Sequence, residues 1–290
     1  MKNRILSLVL ACSIVFGSCS DTYTEIGRDD LQQRVSRYHA SLPVVNNGAD
    51  AKIDKQKALM LALVDAGAGY SVSGVWAIPV VGVYAGLWIS FAASWAASGA
   101  NNRAAAPSIE KKVDTAGIES LISSTSAFAN PYEELGKKHN QALNTLGTTE
   151  ISMLDDSGNL KPATETYMVN TPFMTTTQAD RTSFITNSIN RSNVENAFET
   201  FGRITNLTDL ADEVRSNANA TPREKDFVLS VQEYLSRNIN SVNGTWLTTY
   251  IDGLERIVSS DSTLTSKERT ELLMYLAVLN YSYCFWERQL

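Results

Sequence analysis

Few side chains in this 290-residue chain are of kinds that do chemistry, and their spacing says more than their number. The two histidines, His39 and His139, stand in neither a His-x-x-x-His nor a Glu-x-x-His register, so no metal held by imidazole is expected. His139 follows Lys137-Lys138 on a predicted helix and precedes Asn140, which reads as a surface or cap-side histidine. No Gly-x-Ser-x-Gly elbow marks one of the many serines as a nucleophile. Asp155 and Asp156 are adjacent in the turn sequence Asp155-Asp156-Ser157-Gly158-Asn159, where they favour the turn more readily than they share a proton. Gly67-Ala68-Gly69 superficially resembles a phosphate-cradling loop, but no strand precedes it and no Gly-Lys-Ser/Thr follows. No catalytic residues, no metal and no cofactor are expected from these patterns.

The cysteines carry the clearest chemistry. Met1 to Arg4 is a short basic start, and Ile5 to Phe16 is an apolar run of signal-peptide length, too short to span a bilayer. Gly17 and Ser18 supply the small residues beside a cleavage point, and Cys19 follows at once, so Phe16-Gly17-Ser18-Cys19 looks like a lipobox. Val9-Leu10-Ala11-Cys12 is a rival that would leave only a very short apolar region; Cys19 is preferred. A thiol carrying diacylglycerol, beside an amine acylated with a chain such as palmitate, gains about 0.8 kcal/mol per buried methylene. Such an anchor needs no transmembrane helix. The expected partner at Cys19 is therefore membrane lipid, and the expected address is the bacterial cell envelope, at the outer membrane. Cys284 then remains alone among Tyr283, Phe285 and Trp286, a buried thiol in an aromatic helix end.

Loss of Lys2 and Arg4 with residues 1–18 leaves 23 basic against 31 acidic residues, a net charge of −8, with no long run of either sign. That argues against nucleic acid and against electrostatic attraction to anionic lipid. The expected organisation is a signal peptide over 1–18, lipidated Cys19 with a solvated tether to residue 30, and one helical domain over 31–290.

The elements that would position any site are mainly helices, and the expected fold is a helical bundle. Residues 29 to 42 form an amphipathic helix ended by Pro43, and Lys52 to Asp65 form a second with Leu59, Leu61, Leu63 and Val64 on its apolar part. Asn130-Pro131-Tyr132-Glu133 and Thr221-Pro222-Arg223-Glu224 each place a cap, a Pro and an acid at a helix start, and Ser192 with Glu195 and Thr265 with Glu268 read as capping boxes. The last helix, Ser266 to Glu287, is apolar on all sides from Leu272 to Leu279, as a central helix of a bundle is. Residues 148 to 176 break the pattern. Glu150 to Leu154 and Thr164 to Val169 read as a small β-hairpin or an extended loop.

From Ala66 to Asn102 the chain has no charge and holds three of its five tryptophans. After Pro79, Tyr84, Trp88, Phe91 and Trp95 fall on one helical stripe, while Gly82, Gly86, Ser90, Ala93 and Ala97 fall on another. Three readings compete for this 66–102 segment, of which the phosphate-cradling loop at Gly67-Ala68-Gly69 has the weakest signal, and two are helical. In these it is either a Gly/Ala-rich helical hairpin buried in the bundle, or a hairpin that enters a bilayer as in pore-forming toxins, its small faces packing helix on helix.

Three stretches together resemble an exported lipoprotein family of Bacteroidetes, itself uncharacterised: the Asp65-to-Ala100 block, Asn130 through Leu143, and the terminal Leu279-Asn280-Tyr281-Ser282-Tyr283-Cys284-Phe285-Trp286. The resemblance implies export and lipidation and imports no activity. In that phylum, Asp114-Thr115-Ala116 and Asp261-Ser262-Thr263 match the short triplets at which O-glycans are attached, with Thr115 and Ser262 as acceptors. The resulting expectation is a non-enzymatic, membrane-anchored envelope lipoprotein that binds a partner or supports structure; the alternative is a membrane-active protein using the 66–102 hairpin.

Overall fold

The computed structural model describes residues 26–43, 53–73, 79–95, 112–147, 155, 159–173, 176–201, 203–204 and 206–290. These are mainly helical. The first five helices are α1 (Ile26–Ser41), α2 (Ile53–Ser73), α3 (Pro79–Trp95), α4 (Thr115–Thr125) and α5 (Glu133–Gly147). Next come α6 (Pro162–Asn170), α7 (Gln178–Thr186), α8 (Ser188–Phe201) and α9 (Leu207–Ser216). Three longer helices complete the series, α10 (Pro222–Arg237), α11 (Gly244–Ser260) and α12 (Ser266–Gln289), with a 3-10 turn at Ile239–Ser241 before α11.

α12 is the central helix. From Glu271 to Trp286 every residue is buried, which is the expected fate of a helix with no polar face. α2 packs along α12 and also along α3, and α5 crosses both α12 and α3. α11, α4 and α1 cover the other side of this core, while α8 lies over α3. α1 is docked by long-range polar contacts: Gln32 donates to the Asp226 carbonyl, Tyr38 donates to the Tyr250 carbonyl, and Arg34 lies 3.4 Å from buried Asp261.

α2 and α3 run antiparallel, since Asp65 lies opposite Ser90 and Gly69 opposite Gly86. The small residues allow this approach. A Cβ at Gly69 would lie 3.4 Å from the Gly86 carbonyl oxygen and from Ser90 Cβ, in van der Waals contact with both, so the two helices approach to within a methyl group of each other there. The connection over residues 74–78 lies outside the described residues, as does everything from 96 to 111. As described, α3 has 17 residues, about 25 Å of helix, and no described helix is long and apolar enough to cross a membrane.

Several local expectations meet a different outcome. Thr164 to Val169 is not a strand but lies within α6. Pro162 occupies the first turn with its φ preset for a helix, and Thr164 and Met168, one turn apart, share the buried face. The backbone of Leu160 is engaged by side chains of α8, its N–H donating to Glu195 and its carbonyl accepting from Arg191. Glu150 to Leu154 lies outside the described residues. α1 begins at Ile26, inside the 19–30 stretch expected as a tether, whose residues 19–25 lie outside the described residues. Ser192 lies inside α8 and caps nothing. By contrast, Thr221 with Glu224 and Thr265 with Glu268 form reciprocal capping boxes. Asn130 takes a different part: its side chain accepts from the Tyr132 N–H, and Pro131 stands in the turn before α5 rather than in its first turn.

Candidate functional site

Asp65 is the last charge before the uncharged stretch, and it is 0% exposed among Leu61, Ala62, Leu63, Val64 and Ala66, all buried. A carboxylate in such surroundings must be paired, because desolvating it alone costs several kcal/mol. Its partners come from the far end of the chain. Ser282 Oγ donates to Asp65 Oδ2, and the Trp286 indole N–H donates to the same oxygen at 3.1 Å. Ser282 and Trp286 are one turn apart on α12, so a single helix face presents both donors.

Two further helices close the node. His139 of α5, also 0% exposed, places Nε2 3.6 Å from Asp65 Oδ2. Its Nδ1 lies 3.3 Å from the side-chain oxygen of Asn140, whose amide donates to the Tyr281 carbonyl at 2.8 Å. From α3, Ser90 Oγ donates to the backbone carbonyl of Asp65 at 2.8 Å. Residues from α2, α3, α5 and α12 therefore meet around one carboxylate.

The expectation of a surface or cap-side His139 is corrected by this burial. Leu135, His139, Ala142 and Leu143 share one buried helical face, and Lys137 and Lys138 point elsewhere, pairing with Glu133 and Glu134 one turn back. Asp65, Ser282 and Trp286 do not stand out in the sequence as one site, because no local register joins α2 to α12. The one available signal was Asp65 itself, a charge set at the border of an otherwise apolar run.

Aspartate, imidazole and serine hydroxyl invite comparison with a hydrolytic triad. The order is wrong for one. Ser282 donates to the carboxylate, whereas nucleophile activation needs the hydroxyl to donate to the imidazole. All three side chains are sealed from solvent, so no substrate reaches them in this conformation. What the arrangement does is hold: it ties the most apolar helix pair to α5 and α12 through groups that lose their partners if the helices separate.

Other carboxylates are buried nearby in the bundle. Glu255 accepts from Asn130, which also donates to the Leu273 carbonyl, and burial pushes Glu255 up to about 8. Burial, followed by the neighbouring Glu224 carboxyl, raises Glu271 to about 8. Among the described residues, no group of three or more His, Cys, Asp or Glu is placed to hold a metal ion.

The remaining sequence candidates are scattered. Tyr84, Trp88 and Phe91 are buried together, edge-on to one another and to Phe184 and Tyr167, and Tyr84 donates to the Met168 carbonyl. The Trp95 side chain and Cys19 lie outside what is described. Gly67, Ala68 and Gly69 are interior residues of α2 rather than a loop, which removes the phosphate-cradle comparison. Thr115 opens α4 behind its cap Asp114 and is half-buried, while Ser262 is exposed beside buried Asp261. His39 is stacked on Tyr234 at 4.1 Å with Nε2 2.9 Å from the Tyr250 hydroxyl, and burial lowers its pKa to about 4. Cys284 is buried, its thiol pushed up to about 12 mainly by desolvation, the opposite of a reactive thiolate. Asp155 and Asn159 bond each other, the Asp155 N–H donating to the Asn159 carbonyl and the Asn159 N–H to Asp155 Oδ1, while Asp156 lies outside the described residues.

No protein-family model, no curated protein and no solved structure matches this chain.

Proposed function

We propose that this chain is a bacterial envelope lipoprotein, held by lipid on Cys19 at the outer membrane, whose helical body binds a partner or supports envelope structure rather than catalysing a reaction. The observation that carries the proposal is the Phe16-Gly17-Ser18-Cys19 sequence closing an apolar run, with only residues 20–25 between Cys19 and the start of α1. Fully extended, that connection reaches roughly 25 Å, so a lipid on Cys19 would keep the body close to the bilayer. The sealed Asp65, His139 and Ser282 side chains, linked in an order unsuited to nucleophile activation, support a body without catalysis. Thr115 and Ser262 remain the proposed O-glycan acceptors, and membership of the Bacteroidetes family is proposed with the lipid.

Fractionation of expressing cells tests the anchor. Wild-type protein should sediment with membranes and Cys19→Ala should be released, while Cys12→Ala should still sediment. Sedimentation of Cys19→Ala as firmly as wild type would overturn the lipid assignment.

A second reading is favoured by one observation: uncharged α3, with Tyr84, Trp88 and Phe91 turned inward, lies antiparallel to α2 beneath α5 and α8. A hairpin of α2 and α3 released from the bundle would bring an apolar surface to a bilayer. Dye release from liposomes by the full chain, with Trp fluorescence shifting blue, would favour that activity; intact liposomes under every condition would dismiss it.

A further inference from the structure

A cleft of about 360 Å³ opens between α8 and the turn that leaves α9, far in sequence from the Asp65 node. Its volume is at the lower end of small-ligand sites. Asn193, Asn196 and Thr200 line one side from a single face of α8, at helical spacings of three and four. Opposite them stand Glu213, Asn217 and Asn219. The inner wall is apolar, made by Ala197 and Phe201, both buried.

Asn217 is the fixed member of this set. It is only 9% exposed, its N–H donates to the Glu213 carbonyl at 3.1 Å, and its side-chain oxygen accepts from the Asn219 N–H at 2.9 Å. Those bonds hold the side-chain oxygen of Asn217, a lining residue of the cleft, and Nδ2 is the donor group its amide has left to offer. Asn193 and Asn196 offer one acceptor and two donors each, and the Glu213 carboxylate adds an acceptor.

We propose that this cleft binds a neutral saccharide. Hydroxyl groups donate and accept at once, as do the amides and hydroxyls that line the cleft, and the C–H face of a sugar ring suits the Ala197 and Phe201 wall. Among the described lining residues none is basic, so a phosphate or carboxylate ligand would meet Glu213 without a compensating charge. A single carboxylate among amides is also a poor holder of a divalent cation, which takes six or more oxygens with several charged. The inference goes beyond the lipid anchor, since the cleft would bind with or without a lipid on Cys19.

Saturation-transfer NMR on the full chain, in a zwitterionic detergent free of sugar head groups, tests it against chitotriose, maltotriose, mannotriose and xylotriose. Inorganic phosphate and glutamate serve as charged controls. At least one trisaccharide should bind, with affinity reduced at least tenfold in the Asn193→Ala, Asn196→Ala double variant at an unchanged melting temperature. Both substituted side chains are at least partly exposed, so the variant keeps its core. Glu213→Gln, which preserves shape and hydrogen bonding, should retain binding. No binding by any of the four sugars, undiminished binding by the double variant, or preference for phosphate or glutamate would overturn the proposal.

Discussion

Replacing Asp65 by Ala would leave Ser282 and Trp286 with donors aimed at a void and His139 without its carboxylate. Removing one partner from a buried charged cluster costs about 3 to 5 kcal/mol, which in a chain of this size lowers the melting temperature by about 10 °C. Asp65→Asn keeps an oxygen acceptor and should lose less than half as much by calorimetry; equal losses would show that the charge, not the hydrogen bonding, holds the node. Glu255 makes a second prediction, through pH. Its folded pKa of about 8 lies above the ordinary value of 4.5, so its contribution is complete below pH 4.5 and is lost as pH rises through 8. Glu271 acts in the same direction over the same window. His39, lowered to about 4, acts oppositely, losing its contribution as pH falls from 6.5 through 4. Between pH 6.5 and 8.5 only the glutamate effect of these three remains, so the melting temperature should fall across that interval, by roughly 2 kcal/mol in stability for each glutamate, and Glu255→Gln should remove about half of the fall. A rise over the same interval would contradict the burial of Glu255.

At the scale of elements, closeness between helices is set by small residues. Gly136 of α5 lies against Tyr281 of α12, where an added Cβ would meet the Tyr281 Cβ at 2.7 Å and its ring at 2.6 Å. The Tyr281 Cβ is fixed to its helix backbone, so relief requires the helices to part. Gly136→Ala should therefore destabilise by about 1 to 3 kcal/mol in chemical denaturation, although alanine favours helix; an unchanged midpoint would place α5 farther from α12. Much of this scaffold was legible in sequence where a cap and an apolar period agreed, as at Thr221 with Glu224, Thr265 with Glu268, and the all-apolar α12. α6 was not, because Thr164, Thr166 and Val169 carry strand preference while Pro162 and the burial of Thr164 with Met168 decide for helix. His139 was misjudged for a related reason. Its lysine neighbours suggested solvent, but the spacing to Leu135 and Leu143 placed it on the inward face, and the carboxylate it meets is 74 positions away in the chain.

For the whole molecule, the residue pattern bears more on the proposed address than on any occupation. The amino-terminal pattern is local and chemical, so the proposal of lipid on Cys19 draws on no part of the fold. The node and the cleft assemble from segments far apart, and their side chains acquire meaning only when the helices bring them together. The apolar α2 and α3 pair follows the same logic: these helices serve as the interior of the bundle, tied by Asp65, and the proposed lipid on Cys19 would need no membrane-spanning part from them. Intact-mass spectrometry of the protein purified from membranes reads the proposed lipid itself. A chain that begins at Cys19 and carries a diacylglyceryl group and an acylated amine is the expected result. A mass equal to the unmodified chain, or one that begins at any other residue, would contradict it.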